Sequence, residues 1–293
     1  MSVLRIVVFM LLYVAGSYGQ AEWPKPNWQK VETLDCRGEG NAVSSSVGKY
    51  IVRLVSAPDA ETHESLCRAY LLRGSGKETL LLKDWGVSIH QGTGEDVFGD
   101  GNPSLILEGY SGGAHCCYTY RIASLAEKPV ILPAIENQTP FYFFKDPANG
   151  EFRIMTSDGA FDYFDGLCHA CTPFPRVVLK VEAGGLRDVS SQFVDQYDGQ
   201  IAVARARIAD GDIERFLITD FQDAKTVILE IVLAYLYSGR PTEAWRTLDA
   251  MWPAGDQERI RKLILKTRAE GILSKLGAPI SAGPGPIALS YTH

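Results

Sequence analysis

Between Val47 and Lys180 the chain is cut into short apolar, β-branched segments by glycines and by Asn-Gly and Asp-Gly pairs. Runs of about four to eight residues with turns this frequent are too short for helices and suit the strands of an all-β unit. Tyr50–Val55 is one such run. Ala69–Leu72 and Thr79–Leu82 flank Arg73-Gly-Ser-Gly-Lys77 and read as a hairpin with a glycine turn. Further strands are expected at Ser104–Glu108, Tyr118–Ala123, Val130–Leu132, Phe141–Phe144, Phe152–Thr156 and Arg176–Val181.

The pattern changes after about Asp188. Ser191–Ala209, Asp223–Ser238, Pro241–Trp252 and Gln257–Leu276 read as helices, with Ser190 or Ser191 as a cap and Pro241 in a first turn, where its missing N–H costs nothing. The fold class expected is a mainly β N-terminal domain followed by an α-helical C-terminal domain. The boundaries are 1–21 for a signal peptide, 22–187 for the β domain, 188–276 for the helical domain and 277–293 for a loose Gly- and Pro-rich tail.

The opening stretch, MSVLRIVVFMLLYVAGSYGQA, has the layout of a secretory signal. Arg5 supplies the positive region, Ile6–Ala15 the apolar one, and Ser17, Gly19 and Ala21 the small residues near a cleavage point. The apolar part is short for a bilayer, so no membrane span is expected after cleavage; an uncleaved anchor is the alternative. Periplasmic or secreted localisation follows. All six cysteines (Cys36, Cys67, Cys116, Cys117, Cys168 and Cys171) come after this segment. An even number in an oxidising compartment favours disulfides over thiolates. Cys36 with Cys67 is the natural first pair. The other four can pair locally, as 116–117 and 168–171, or crosswise, and the flanking glycines tilt the reading to the local solution.

The composition, 46% hydrophobic and 22% charged, is that of a globular chain. The net charge of −6, without any basic run, argues against a nucleic-acid partner, because phosphate binding needs clustered Lys and Arg.

Asp96-Val-Phe-Gly-Asp-Gly-Asn-Pro-Ser-Leu-Ile-Leu107 resembles the D-x-D-G-D-G-x-x-D-L-V-L signature of FG-GAP and VCBS-type repeats. The resemblance implies propeller blades, here propeller-like and not necessarily complete, since only one signature is clear. In some of those repeats the aspartates hold Ca²⁺. The ligands in this chain would be Asp96, Asp100 and Asn102, but Phe98 and Ser104 replace two carboxylates, and a turn leading into a strand is the better reading. No cofactor is expected. The segment through SGGAHCCYTY and on to AFDYFDG and PFPRVVLKV, about residues 95–185, is also similar to a group of secreted bacterial proteins; this implies bacterial export and a repeat-like β fold. Ala234–Trp245 resembles the middle of one tetratricopeptide repeat, without a second copy in the chain. Asn137-Gln-Thr139 is a glycosylation sequon, without meaning in a bacterial chain.

GYSGGAHCCYTY, residues 109–120, admits three chemistries. Gly109-Tyr-Ser-Gly-Gly113 has nucleophile-elbow spacing, with Ser111 as nucleophile and His169 as the downstream histidine. An elbow needs a helix next, and strand formers follow instead. His115, Cys116, Cys117, Cys168, His169 and Cys171 could bind Zn²⁺ or copper, with C-x₂-C spacing at 168–171, yet adjacent cysteines in a strand point to opposite faces. The third reading is structural disulfides. These leave a stiff, aromatic-rich region in which Tyr110, His115, Tyr118, Tyr120, Asp162 and Tyr163 are the candidate ligand residues. Aromatic faces beside carboxylates suit a sugar, and a protein or peptide is the other partner class. The expected function is an exported, non-catalytic binding or interaction protein, with a serine hydrolase and a metal-binding protein as alternatives.

Overall fold

The computed structural model describes residues 23–24, 32–35, 41–74, 76, 78–113, 117–209 and 221–276. The signal segment, the tail, Cys36, His115 and Cys116 lie outside the described residues.

Three antiparallel sheets form the N-terminal part. The first is a meander of β2 (Ala42–Val47), β3 (Tyr50–Pro58), β4 (Ser65–Arg73) and β5 (Thr79–Asp84). The central sheet runs in the order β1 (Glu32–Asp35), β6 (Gly86–Ile89), β7 (Ser104–Tyr110), β8 (Tyr118–Ser124) and β10 (Ile135–Asn137), and β9 (Val130–Ile131) also pairs with β8. The third is a meander of β11 (Tyr142–Lys145), β12 (Phe152–Ser157), β13 (Arg176–Glu182) and β14 (Gly185–Asp188).

The side-chain period of a strand explains how these sheets pack. In β3, Tyr50, Val52 and Leu54 are buried, while Ile51 between them is exposed, so the first sheet has one wet face. β7 is buried on both faces. Leu105 and Leu107 join the core shared with the first sheet, whereas Ile106, opposite Ile122 of β8, joins the core shared with the third sheet. A strand covered on both sides reads as a continuous apolar run, which Ser-Leu-Ile-Leu107 is.

Four helices follow among the described residues: α1 (Val194–Ala209), α2 (Phe221–Tyr237), α3 (Pro241–Met251) and α4 (Gln257–Glu270). The tetratricopeptide-like stretch is the α2–α3 hairpin. Gly239 at φ 82° receives the turn, with Arg240 N–H bonded to Tyr235 O (2.9 Å) and Gly239 N–H to Leu236 O (3.4 Å). These two bonds satisfy carbonyls that the helix end leaves open. Ala244 is fully buried where the helices meet. The helices share one core with the third sheet: Ile154, Val177 and Leu179 belong to the same apolar cluster as Val227, Leu233 and Ile264. No helix among the described residues is long and apolar enough to cross a membrane.

Candidate functional site

The β7–β8 register pairs Tyr110 with Tyr118, Gly109 with Thr119 and Glu108 with Tyr120. Glu108, Tyr110, Tyr118 and Tyr120 therefore share one face of the central sheet. The rings of Tyr110 and Tyr118 lie 5.4 Å apart, and those of Tyr118 and Tyr120 lie 6.5 Å apart. Tyr120 is the buried end of this row. It stacks on Phe141 at 4.2 Å, donates its hydroxyl proton to Glu108 Oε2 (2.8 Å) and accepts the Phe141 N–H (2.8 Å). It is thus committed to the core, and of the expected ligand residues on this strand pair only Tyr110 and Tyr118 are half-exposed. Glu108, 6% exposed, lies beneath them. Partial burial, then the Glu108 charge, hold the Tyr118 phenol above its ordinary pKa. Burial also raises that of Tyr142, against the pull of Arg176. The Arg176 guanidinium sits 5.0 Å above the Trp23 ring.

The turn after β7 is held from both sides. Ser111 N–H bonds to Cys117 O (3.1 Å), and Cys117 N–H donates to Ser111 Oγ (2.9 Å). The Tyr110 hydroxyl donates to Gly113 O. On the other side Trp85, 41% exposed, covers Gly112, whose φ of 83° suits glycine; a Cβ there would sit 3.1 Å from the indole. Gly109 is equally constrained, because a Cβ would come within 2.5 Å of Asp84 Oδ2. Burial raises the Asp84 pKa, opposed by hydrogen bonds from the Trp85 N–H and Thr119. Ser111 is thereby a hairpin-turn residue, and the element described after it is strand β8, not the helix of a nucleophile elbow.

A second group occupies residues 158–172. Asp162 Oδ1 lies 2.8 Å from His169 Nδ1, and Tyr163, 55% exposed, lies 5.9 Å from the His169 ring. Tyr163 (φ 53°) and Asp165 (φ 49°) are both left-handed, a conformation that costs a non-glycine residue about 1 kcal/mol or more. Neighbouring elements hold it in place. Arg259 forks onto Asp165 (2.6 and 3.0 Å), and Lys225 meets the same carboxylate at 2.6 Å. Arg259 first, then Lys225, keeps the Asp165 pKa below the ordinary carboxylate value. Cys168 and Cys171 are bonded to each other, which excludes the crosswise pairing. Cys67 and Cys117 are disulfide-bonded too, with partners outside the described residues.

The Asp96–Asn102 loop is a self-satisfied turn. Asp96 accepts the N–H groups of Asp100 (3.0 Å) and Gly101 (2.8 Å), while Asp100 accepts from Asn102 N–H (3.0 Å) and Ser124 Oγ (2.6 Å). Against the cost of partial burial, the bonds from Ser124 and Asn102 keep the Asp100 pKa low. Among the described residues no three His, Cys, Asp or Glu side chains are grouped to hold a metal ion, and the oxidised Cys117, Cys168 and Cys171 offer no thiolate.

The structure thus brings Tyr110 and Tyr118 together at the turn, and separately Asp162, Tyr163 and His169. Sequence reasoning missed Trp85, Glu108, Tyr142 and Arg176. The signal for Trp85 was its type: a large indole in a turn of Asp84-Trp-Gly86 has no core face to fill. No family model matches the chain, and no curated protein or solved structure does.

Proposed function

We propose that the chain is an exported, disulfide-stabilised binding protein whose β part takes a carbohydrate on Tyr110 and Tyr118. One observation carries this reading. Two half-exposed phenols, Tyr110 and Tyr118, lie with ring centroids 5.4 Å apart beside a glycine turn that Trp85 holds from its other side. Aromatic faces take the C–H side of a sugar. The site is non-catalytic on this reading, because its serine is tied into the turn. The N-terminal signal layout and the oxidation of the four described cysteines support export to the periplasm or beyond. The fold is propeller-like and incomplete, with each sheet a blade; the blade signature at Asp96–Leu107 and the two apolar cores on either side of the central sheet support this.

The test is a glycan array followed by calorimetry on the wild type, Tyr110→Ala and Tyr118→Ala. Binding by the wild type that each substitution weakens about fivefold is expected, because a lost aromatic contact is worth about 1 kcal/mol. A wild type that binds no glycan, or variants that bind as well as it does, would overturn the reading.

A further inference from the structure

We propose that Cys168–Cys171 is an exchange-competent disulfide, which oxidises pairs of protein thiols. This activity is independent of the carbohydrate face. The bridge closes a ring of only Cys168-His-Ala-Cys171, and so short a loop removes little entropy from the unfolded chain. Nor does the turn need the bridge for its shape. Cys171 N–H bonds to Cys168 O (2.9 Å), Thr172 Oγ1 donates to the same carbonyl (3.1 Å), and Thr226 Oγ1 from α2 donates to Cys171 O (2.8 Å). The dithiol form would keep all three bonds.

The two sulfurs sit in unequal settings. Cys168 is exposed, whereas Cys171 is half-buried and packs against the main core. An incoming thiolate therefore meets the Cys168 side, and Cys171 is the sheltered leaving group. By contrast, Cys67 is completely buried within β4, where no external thiol can reach it. His169 stands between the paired cysteines, its Nδ1 fixed 2.8 Å from Asp162 Oδ1, so an oriented imidazole belongs to the same turn as the reacting sulfurs. An imidazole held by a carboxylate is a suitable carrier for the protons that thiol exchange releases. Tyr163, His169 and Phe174 line up with ring separations of 5.9 and 5.5 Å, and this row offers a seat for a peptide backbone beside Cys168. Tyr163 is held outward in its left-handed conformation by its N–H bond to Thr172 Oγ1 (3.2 Å).

In the first step a substrate thiolate attacks Cys168 Sγ. The Cys168–Cys171 bond breaks, and Cys171 leaves as a thiolate and is protonated. The second substrate thiolate then attacks its own chain's sulfur in the mixed disulfide, and Cys168 leaves. Two electrons and two protons have passed to the protein, which ends as the dithiol, while the substrate gains one disulfide. A low-molecular-weight disulfide returns the dithiol to its oxidised form.

The experiment incubates the full chain with a reduced two-cysteine peptide and maps thiols by mass spectrometry. Stoichiometric oxidation of the peptide is expected, with Cys168 and Cys171 appearing as thiols and the Cys67 bridge intact. Cys171→Ser should instead accumulate a peptide mixed disulfide at Cys168 when given the oxidised peptide. The Cys168→Ser/Cys171→Ser protein should retain its circular dichroism and lose peptide oxidation. A peptide left reduced by the wild type would overturn the proposal, as would oxidation undiminished in the double variant. A separate titration of the wild type in glutathione mixtures guards against a double variant that fails to fold. A 168–171 bridge that resists reduction as fully as that of Cys67 would also overturn the proposal.

Discussion

Tyr237 of α2 donates its hydroxyl proton to Asp158 Oδ2 at 2.7 Å, and both groups are buried where the helices meet the loop after β12. The other carboxylate oxygen accepts the N–H groups of Ala160 (3.1 Å) and Ile272 (3.2 Å). Burial raises the Asp158 pKa and these bonds oppose it, so a carboxylate out of water is paired on every side. Tyr237→Phe removes one bond to a charged group and leaves its acceptor buried. A loss of about 1.5–3 kcal/mol is expected. Urea denaturation at neutral pH measures it; an unchanged midpoint would show that water replaces the hydroxyl.

Alkaline pH should weaken the fold in a defined window. Tyr120, Tyr197 and Tyr237 are all held above the ordinary tyrosine pKa of 10.0, chiefly by burial. In the unfolded chain they ionise near that value, whereas in the folded chain they keep their protons. The unfolded state then binds fewer protons, so stability is complete below pH 10 and falls as pH rises past it. Each tyrosine contributes a slope of about 1.4 kcal/mol per pH unit there. Unfolding curves on either side of pH 10, together with tyrosinate absorbance, check the slope; a flat profile would contradict the burial of these hydroxyls.

Gly112 and Gly94 both have positive φ, of 83° and 96°, but only Gly112 has a neighbour where a Cβ would go. Gly94→Ala should cost about 1 kcal/mol from backbone strain alone. Gly112→Ala should cost more and also displace Trp85, altering the tryptophan emission. Emission that stays the same in both variants would mean that the indole is not seated on the turn.

Asn137 is 5% exposed, and its amide nitrogen lies within hydrogen-bond distance of Thr139 Oγ1 (2.8 Å), Thr156 Oγ1 (2.9 Å) and Ser157 O (2.9 Å), which share its two protons. The sequon is therefore used up as a clasp between β10 and β12. Asn137→Asp places a carboxylate against a carbonyl oxygen, and a loss of about 3 kcal/mol or more is expected. Thermal unfolding of the variant measures this; a shift of a degree or less would show that the clasp is dispensable.

Much of the β part was legible because local pattern and packing agree. Ser104–Tyr110 announces a twice-covered strand through its apolar run, and Gly239-Arg-Pro241 announces the helix hairpin through its turn chemistry. β2 was missed because Ala-Val-Ser-Ser-Ser-Val lies at a sheet edge and buries little, so its hydrophobic signal is faint. β1, β6, β10 and β14 carry only three or four residues each, too few to show an alternation, whereas the equally short β9 and β11 stood out through consecutive apolar and aromatic residues. At the site, Tyr110 and Tyr118 were visible through strand parity. The seating of Trp85 on Gly112 was not, because it depends on which strands pair, and register is set across the whole sheet.

The cluster that joins Val177 and Leu179 to Leu233 and Ile264 ties the third sheet to the helices. A recombinant fragment ending at Asp188 would carry an unroofed, greasy wall where α2 now lies, and it should precipitate.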